Sequence, residues 1–267
     1  MADRGVPAVQ FLRDAGRIAM AHRGFTSFKW PMNSMGAFCE AAKLGFRYVE
    51  TDVRATRDGV AVILHDRNFR SESGECGAID RWHWRDVRHL HLGAGESIPT
   101  LEELLGTLPD MRINIDIKSA SAIVPTVEVI ERMKAHDRVL ITSFSERRRR
   151  RALSLLSKRV ASSAGIGAFL ALPAAQTPAS RSYAWQLLRD SDCLQLPPRL
   201  GRIPIITRGL VRALHESGRQ VHAWTVDDPA TMHALFDIGV DGIITDRADV
   251  LREVLVARNE WRPRQAH

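Results

Sequence analysis

The run Tyr48-Val49-Glu50-Thr51-Asp52-Val53 reads as a short β-strand carrying two carboxylates, and Arg112-Ile113-Asn114-Ile115-Asp116-Ile117-Lys118 repeats its logic. Alternate side chains of a strand face the same way. Tyr48, Glu50 and Asp52 therefore share one face, and Val49, Thr51 and Val53 share the other. In the second run Asn114, Asp116 and Lys118 oppose Ile113, Ile115 and Ile117. The isoleucine side suits packing against helices, which leaves the polar side to face the mouth of a barrel. Barrel interiors are normally filled by branched apolar residues. Two strands that break this rule at the same end mark a site.

Outward from these runs, strands and helices alternate without a linker-like break. Strands are expected at Arg17–Ala21, Arg47–Val53, Val60–Leu64, Arg112–Ile117, Val139–Thr142, Arg159–Ser163, Cys193–Leu196, Gln220–Val226 and Gly242–Thr245. Asn33 or Ser34 can cap a helix that stops at Gly45, and Thr100-Leu101-Glu102-Glu103 is a capping box. A helix is expected near Ala179–Leu188. Repeated βαβ units predict an α/β protein, a (β/α)8 TIM barrel. Nine strand candidates are one too many, and Cys193–Leu196 is the expected outsider. A doubly wound open sheet is the alternative, but no G-x-G-x-x-G follows the first strand. Residues 1–16 read as a leader with one turn around Phe11-Leu12, 17–258 as a single barrel domain, and 259–267 as a C-terminal tail that is loose from Arg262 onward. The excursion 67–98 is expected to cover part of the mouth.

The 267 residues are 45% hydrophobic, enough for a large core. No apolar run reaches the ~18–20 residues of a membrane span, and the N-terminus lacks a signal-peptide core. A cytoplasmic protein is expected. Cys39, Cys76 and Cys193 show neither zinc nor disulfide spacing. The net charge of +7 is spread along the chain, apart from Arg147–Arg151, which reads as a solvated helix face. No motif or aromatic platform supports nucleic-acid binding.

Catalytic groups of such barrels sit at the C-terminal ends of strands. His22 and Arg23 end the first, Glu50 and Asp52 the second, His65 and Asp66 the third, Asp116 and Lys118 the fourth, and Trp224 lies late in the eighth. Glu50 and Asp52 are spaced roughly 7 Å apart along their strand. With Asp116 they would repel one another unless a hard cation joins them, and oxygen-only ligation points to Mg²⁺ or Ca²⁺. The plainer account is ion pairing with Arg23, Lys118 or Arg54. His22 and His65 flank the acids and can share acid and base duties; their plainer account is that of satisfied core histidines. Arg23 and Lys118 add fixed positive charge, which together with a metal and two histidines describes a pocket for a phosphate ester.

In order, A-H-R-G (21–24), P-M-N-S (31–34), G-F-R-Y-V-E-T-D-V (45–53), T-R-D-G (56–59), H-D (65–66), I-P-T-L-E-E-L-L (98–105), N-I-D-I-K (114–118), S-F (143–144), W-T-V (224–226) and D-G-I-I-T-D (241–246) resemble the glycerophosphodiester phosphodiesterase family. The resemblance implies a TIM barrel of the PLC-like phosphodiesterase type. It implies divalent-metal-dependent hydrolysis of a small-molecule phosphodiester to glycerol 3-phosphate and an alcohol. Glu50, Asp52 and Asp116 match its metal ligands, His22 and His65 its acid/base pair, Arg23 and Lys118 its phosphate contacts, and Trp224 an apolar wall. The chain departs at Met32, where the family has Glu, and at Asp116, where Glu is commoner. Asp at that place is also the habit of spider-venom-type phospholipases D, whose closing tail is not evident here. Two rival readings stand beside this one. The first is a lysophospholipase D touching a membrane surface or acyl chains through Phe25, Phe28 and Trp30, residues whose plainer role is lid packing. The second is a silent barrel that only binds phosphorylated ligands.

Overall fold

The computed structural model describes residues 9–13, 16–27, 29–164, 188 and 190–264. Phe28 and most of the helix expected near Ala179–Leu188 lie outside the described residues. Eight parallel strands close a barrel in the order β1 (Ile18–His22), β2 (Tyr48–Ala55), β8 (Arg112–Ile117), β9 (Val139–Thr142), β10 (Ala161–Ala164), β11 (Cys193–Leu196), β14 (Gln220–Ala223) and β15 (Gly242–Thr245), which pairs back onto β1. The helices cover the outside: α1 (Met35–Lys43), α3 (Leu101–Thr107), α4 (Ile123–Arg132), α5 (Glu146–Leu155), α6 (Arg208–Glu216), α7 (Pro229–Asp237) and α8 (Ala248–Ala257). Ser34 is the cap of α1, accepting from the Ala37 amide, and Thr100 and Glu103 form the expected capping box on α3. Such caps stabilise a helix by about 1 kcal/mol each.

The outsider among the nine candidates is not Cys193–Leu196. That run is β11, a barrel strand between β10 and β14. The strand outside the barrel is β3 (Ala61–Ile63), which runs antiparallel to the end of β2, pairing Val53 with Ile63 and Ala55 with Ala61. The 56–60 turn is too short for the crossover a parallel strand requires.

The excursion that follows is a small substructure. It contains the hairpins β4 (Asn68–Arg70)/β5 (Cys76–Ala78) and β6 (His91–Gly93)/β7 (Glu96–Ser97), with a short helix α2 (Trp84–Val87) between them. Phe69, Ile79, Val87 and Ile98 pack with Val62 and Leu64 into their own apolar cluster. Glu96 accepts from the Gly36 amide. The excursion thus braces the first turn of α1, and none of its described residues lines the cavity at the mouth.

Strand parity sorts the barrel into layers. Ile113, Ile115 and Ile117 are fully buried in the outer core, facing helices. At the base, Phe11, Leu12, Ile18, Met20, Tyr48, Leu140 and Ile244 pack together. Phe11 meets Tyr48 edge-on at 5.3 Å between ring centroids, and the Tyr48 hydroxyl donates to the Phe11 carbonyl at 3.0 Å. The expected leader turn, Gln10–Leu12, is therefore the plug of the barrel floor. The tail is also anchored through Arg264: Trp261 packs on Phe46, and the Arg264 amide donates to the Gly45 carbonyl. The looseness expected from Arg262 onward does not hold at Arg264, whose guanidinium also pairs with Asp110 at 3.2 Å.

Candidate active site

In-register pairing sets the acids side by side. His22 of β1 stands opposite Glu50 of β2, Glu50 opposite Asn114 of β8, and Asp52 opposite Asp116. Lys118 follows β8, its amide held by the Val53 carbonyl. Arg23 takes a left-handed conformation (φ 55°), with its amide on the Glu50 carbonyl. Gly24 follows with φ 87°, and a Cβ there would lie 2.7 Å from the Ala37 backbone, so only glycine fits. His65 comes from the loop after β3, not from a barrel strand end. The Arg54 guanidinium fixes that loop by donating to the His65 carbonyl at 2.8 Å. His22, Arg23, Glu50, Asp52, His65, Asp116, Lys118 and Trp224 line one cavity of about 500 Å³ at the C-terminal end of the barrel. Every site residue expected from the sequence is in it.

The charges are unevenly satisfied. Asp52 is buried but held on both oxygens: Lys118 Nζ lies 2.8 Å from Oδ1, Arg23 Nε lies 2.9 Å from Oδ2, and Asn33 Nδ2 donates to Oδ2 at 3.0 Å. Burial alone would raise its pKa, but Lys118 and Arg23 outweigh burial and hold it below the usual carboxylate range. Asp116 is raised, chiefly by burial, although Lys118 donates to its Oδ2 at 2.7 Å. Glu50 is raised well above its ordinary value, by burial first and by Asp52 and Asp116 after it. Its Oε2 has no hydrogen-bond partner and lies 3.6 Å from His22 Nε2; Asp116 Oδ1 is likewise buried and unpartnered.

This bears directly on a metal. Among the described residues no group of three or more His, Cys, Asp or Glu is arranged to hold one, and both Asp52 oxygens face cationic side chains. The plainer expectation of ion pairing thus holds for Asp52. The buried, unpartnered oxygens of Glu50 and Asp116 are a different matter. Leaving such acceptors unmade is costly, and an all-carboxylate donor set of this kind fits a hard divalent cation.

Several pairings are not legible in the sequence, although Asp66 and Asn33 themselves stand out there. Asp246, just past β15, places Oδ1 2.7 Å from His22 Nδ1. Asp66 does the same for His65 at 2.8 Å. Asn33 adopts φ 62° and joins Thr51 to Asp52 instead of capping α1. The opposite wall is apolar, formed by Phe144, Leu196, Pro197, Leu200, Ile205 and Trp224, with Phe144 and Trp224 edge to face at 5.8 Å. Met32, the residue at which the P-M-N-S stretch departs from the family pattern, places its sulfur 3.3 Å from Arg23 Nη1. Phe25 packs against the core, and Trp30 fills the space over Gly36.

The pattern of the glycerophosphoryl diester phosphodiesterase family matches residues 22–250. The "Probable glycerophosphodiester phosphodiesterase 2" of Mycobacterium tuberculosis is 71% identical over 98% of this chain and 99% of its own length. A glycerophosphodiester phosphodiesterase of Caldanaerobacter subterraneus is 30% identical over 88% of this chain and 96% of its own. Among solved structures, a phosphodiesterase of Oleispira antarctica in complex with the product sn-glycerol-3-phosphate shares the fold at a TM-score of 0.72, with 23% identity, covering 90% of this chain and 97% of that one.

Proposed function

The chain belongs to the glycerophosphoryl diester phosphodiesterase family and hydrolyses glycerophosphodiesters, and on that premise we propose how its own residues divide the work. His22 and His65 are the general acid/base pair. Asp246 and Asp66 each engage an Nδ1, which directs the opposite ring nitrogen, Nε2, toward the reacting groups. One histidine takes the proton of the nucleophile, water or the neighbouring glycerol hydroxyl, and the other returns a proton to the leaving alcohol. Arg23 and Lys118 hold the phosphoryl oxygens, and Trp224 walls the cleft. Glu50, Asp52 and Asp116 would hold a divalent cation, Mg²⁺ or Ca²⁺. When bound, it would supply Lewis-acid polarisation of the phosphoryl group. The orphaned Glu50 and Asp116 oxygens support that assignment.

The observation that carries the reading is the convergence of two carboxylate-oriented histidines, three acids and two cations on one cavity. The expected products are glycerol 3-phosphate and an alcohol, in keeping with the product held by the Oleispira antarctica enzyme. The apolar wall of Phe144, Leu196, Leu200 and Ile205 favours a second reading, in which the substrate is a lysophospholipid whose chain lies along that wall. Release of glycerol 3-phosphate from glycerophosphocholine and from lysophosphatidylcholine, each with and without EDTA, separates the two. Activity indifferent to both EDTA and Asp52→Ala would overturn the metal assignment. Turnover of neither substrate would leave a barrel that only binds phosphorylated ligands.

A further inference from the structure

At the rim of the cavity, β12 (Arg199–Leu200) and β13 (Ile203–Pro204) form a small antiparallel hairpin turning at Gly201-Arg202. Leu200 and Ile203 are directly paired, so their side chains stand on one face, and each is 65% exposed. The Arg199 guanidinium donates to the Arg202 carbonyl at 2.6 Å across the turn. From Cys193 to His215 the chain contains no Asp or Glu, while Arg199, Arg202, Arg208 and Arg212 fall within it. Arg199 and Leu200 line the cavity, as does Phe144, itself half exposed.

Single exposed apolar residues need no explanation. A pair of them on one hairpin, bracketed by arginines without a nearby acid in sequence and continuous with the cavity rim, does. Two side chains fall far short of the ~1,000 Å² that a specific protein interface requires. A lipid surface asks for less: a few apolar groups at the headgroup boundary, with basic residues drawn to anionic lipid. We propose that the 199–204 hairpin docks the mouth of the barrel on an anionic phospholipid surface. This goes beyond the reaction proposed above and does not depend on it.

The test is sedimentation with vesicles of phosphatidylcholine alone and of phosphatidylcholine mixed with phosphatidylglycerol, which reads binding without turnover. The full chain is expected to bind the mixed vesicles and to be released by added salt. Arg202→Glu/Ile203→Asp alters hairpin residues that do not line the cavity. It should weaken binding at least about ten-fold, since one basic side chain near such a surface contributes about five-fold by itself. Ile203→Ser alone should weaken it less. Both variants should keep the melting temperature and glycerophosphocholine turnover of the parent chain. No vesicle binding by the parent chain, or equal binding by parent and double variant, overturns the proposal. So does a double variant that halves the sedimenting mass without altering vesicle binding, because the face would then belong to a second copy.

Discussion

Asp246 shows how a residue acquires a role only when the barrel closes. It lies 224 positions from His22, and the two meet because β15 pairs with β1, Ala21 opposite Thr245. The amide of Asp246 is held in turn by Asp227 at 2.8 Å. Asp246→Ala should lower kcat toward glycerophosphocholine about 10²-fold with KM little changed, because His22 stays present but loses its orientation. An equal loss in KM, with kcat intact, would assign Asp246 to substrate binding. The cation is tested at the same scale. Mg²⁺ or Ca²⁺ at a hundred times its dissociation constant should stabilise the protein by about 2.7 kcal/mol. Thermal melts in EDTA and in excess cation measure this, and Glu50→Gln should lose most of the gain. Identical melts for the parent chain would remove the cation from the mechanism. His22, Glu50, Asp52 and Asp116 were legible beforehand because strand-end parity is local. Asp246 and Asn33 were not, because their partners are set by closure and by a left-handed backbone that no periodicity reports. The D-G-I-I-T-D run ending β15 was the available signal.

At the scale of elements, connection length carried information that periodicity did not. Val60–Leu64 and Cys193–Leu196 are both short apolar runs, and alternation cannot rank them. Only five residues separate Ala55 from Ala61, the ends of β2 and β3, which leaves no room for a crossover helix and forces an antiparallel return. The arginine run in α5 misled for a related reason. Arg147 and Arg151 are exposed as expected, but Arg149 is fully buried against β10. Its guanidinium is shared among Glu146, the Ser162 hydroxyl and the Asp190 carbonyl, the last at 2.8 Å. Helical spacing alone puts one of five successive residues toward the sheet, whatever its charge. Arg149→Ala should cost about 3 kcal/mol in urea unfolding, since it strands buried polar groups. Arg151→Ala should stay within about 0.5 kcal/mol. Equal effects at the two positions would mean that the burial of Arg149 carries no stability.

For the molecule as a whole, the barrel interior grades from an apolar floor to a polar middle before it reaches the site. His222 of β14 is in that middle layer, fully buried; its Nε2 lies 3.1 Å from Gln220 Oε1 and its Nδ1 faces Gln195, which accepts from Asn114 at 3.2 Å. It is the satisfied core histidine that His22 and His65 are not. Burial lowers its pKa to about 4, with Asp241 opposing weakly. The folded protein therefore refuses a proton that the unfolded chain accepts below its ordinary value of 6.5. The stability this provides is fully present above that value and is lost as pH falls toward the folded one. Between pH 7.5 and pH 5 the loss amounts to about 2 kcal/mol. His222→Gln keeps an uncharged hydrogen-bonding side chain and removes the titration, so its urea midpoint should decline less over that range, by an amount matching those ~2 kcal/mol. If the parent chain and His222→Gln lose stability in parallel between pH 7.5 and pH 5, the neutral histidine inside the barrel is not what makes this fold acid-sensitive.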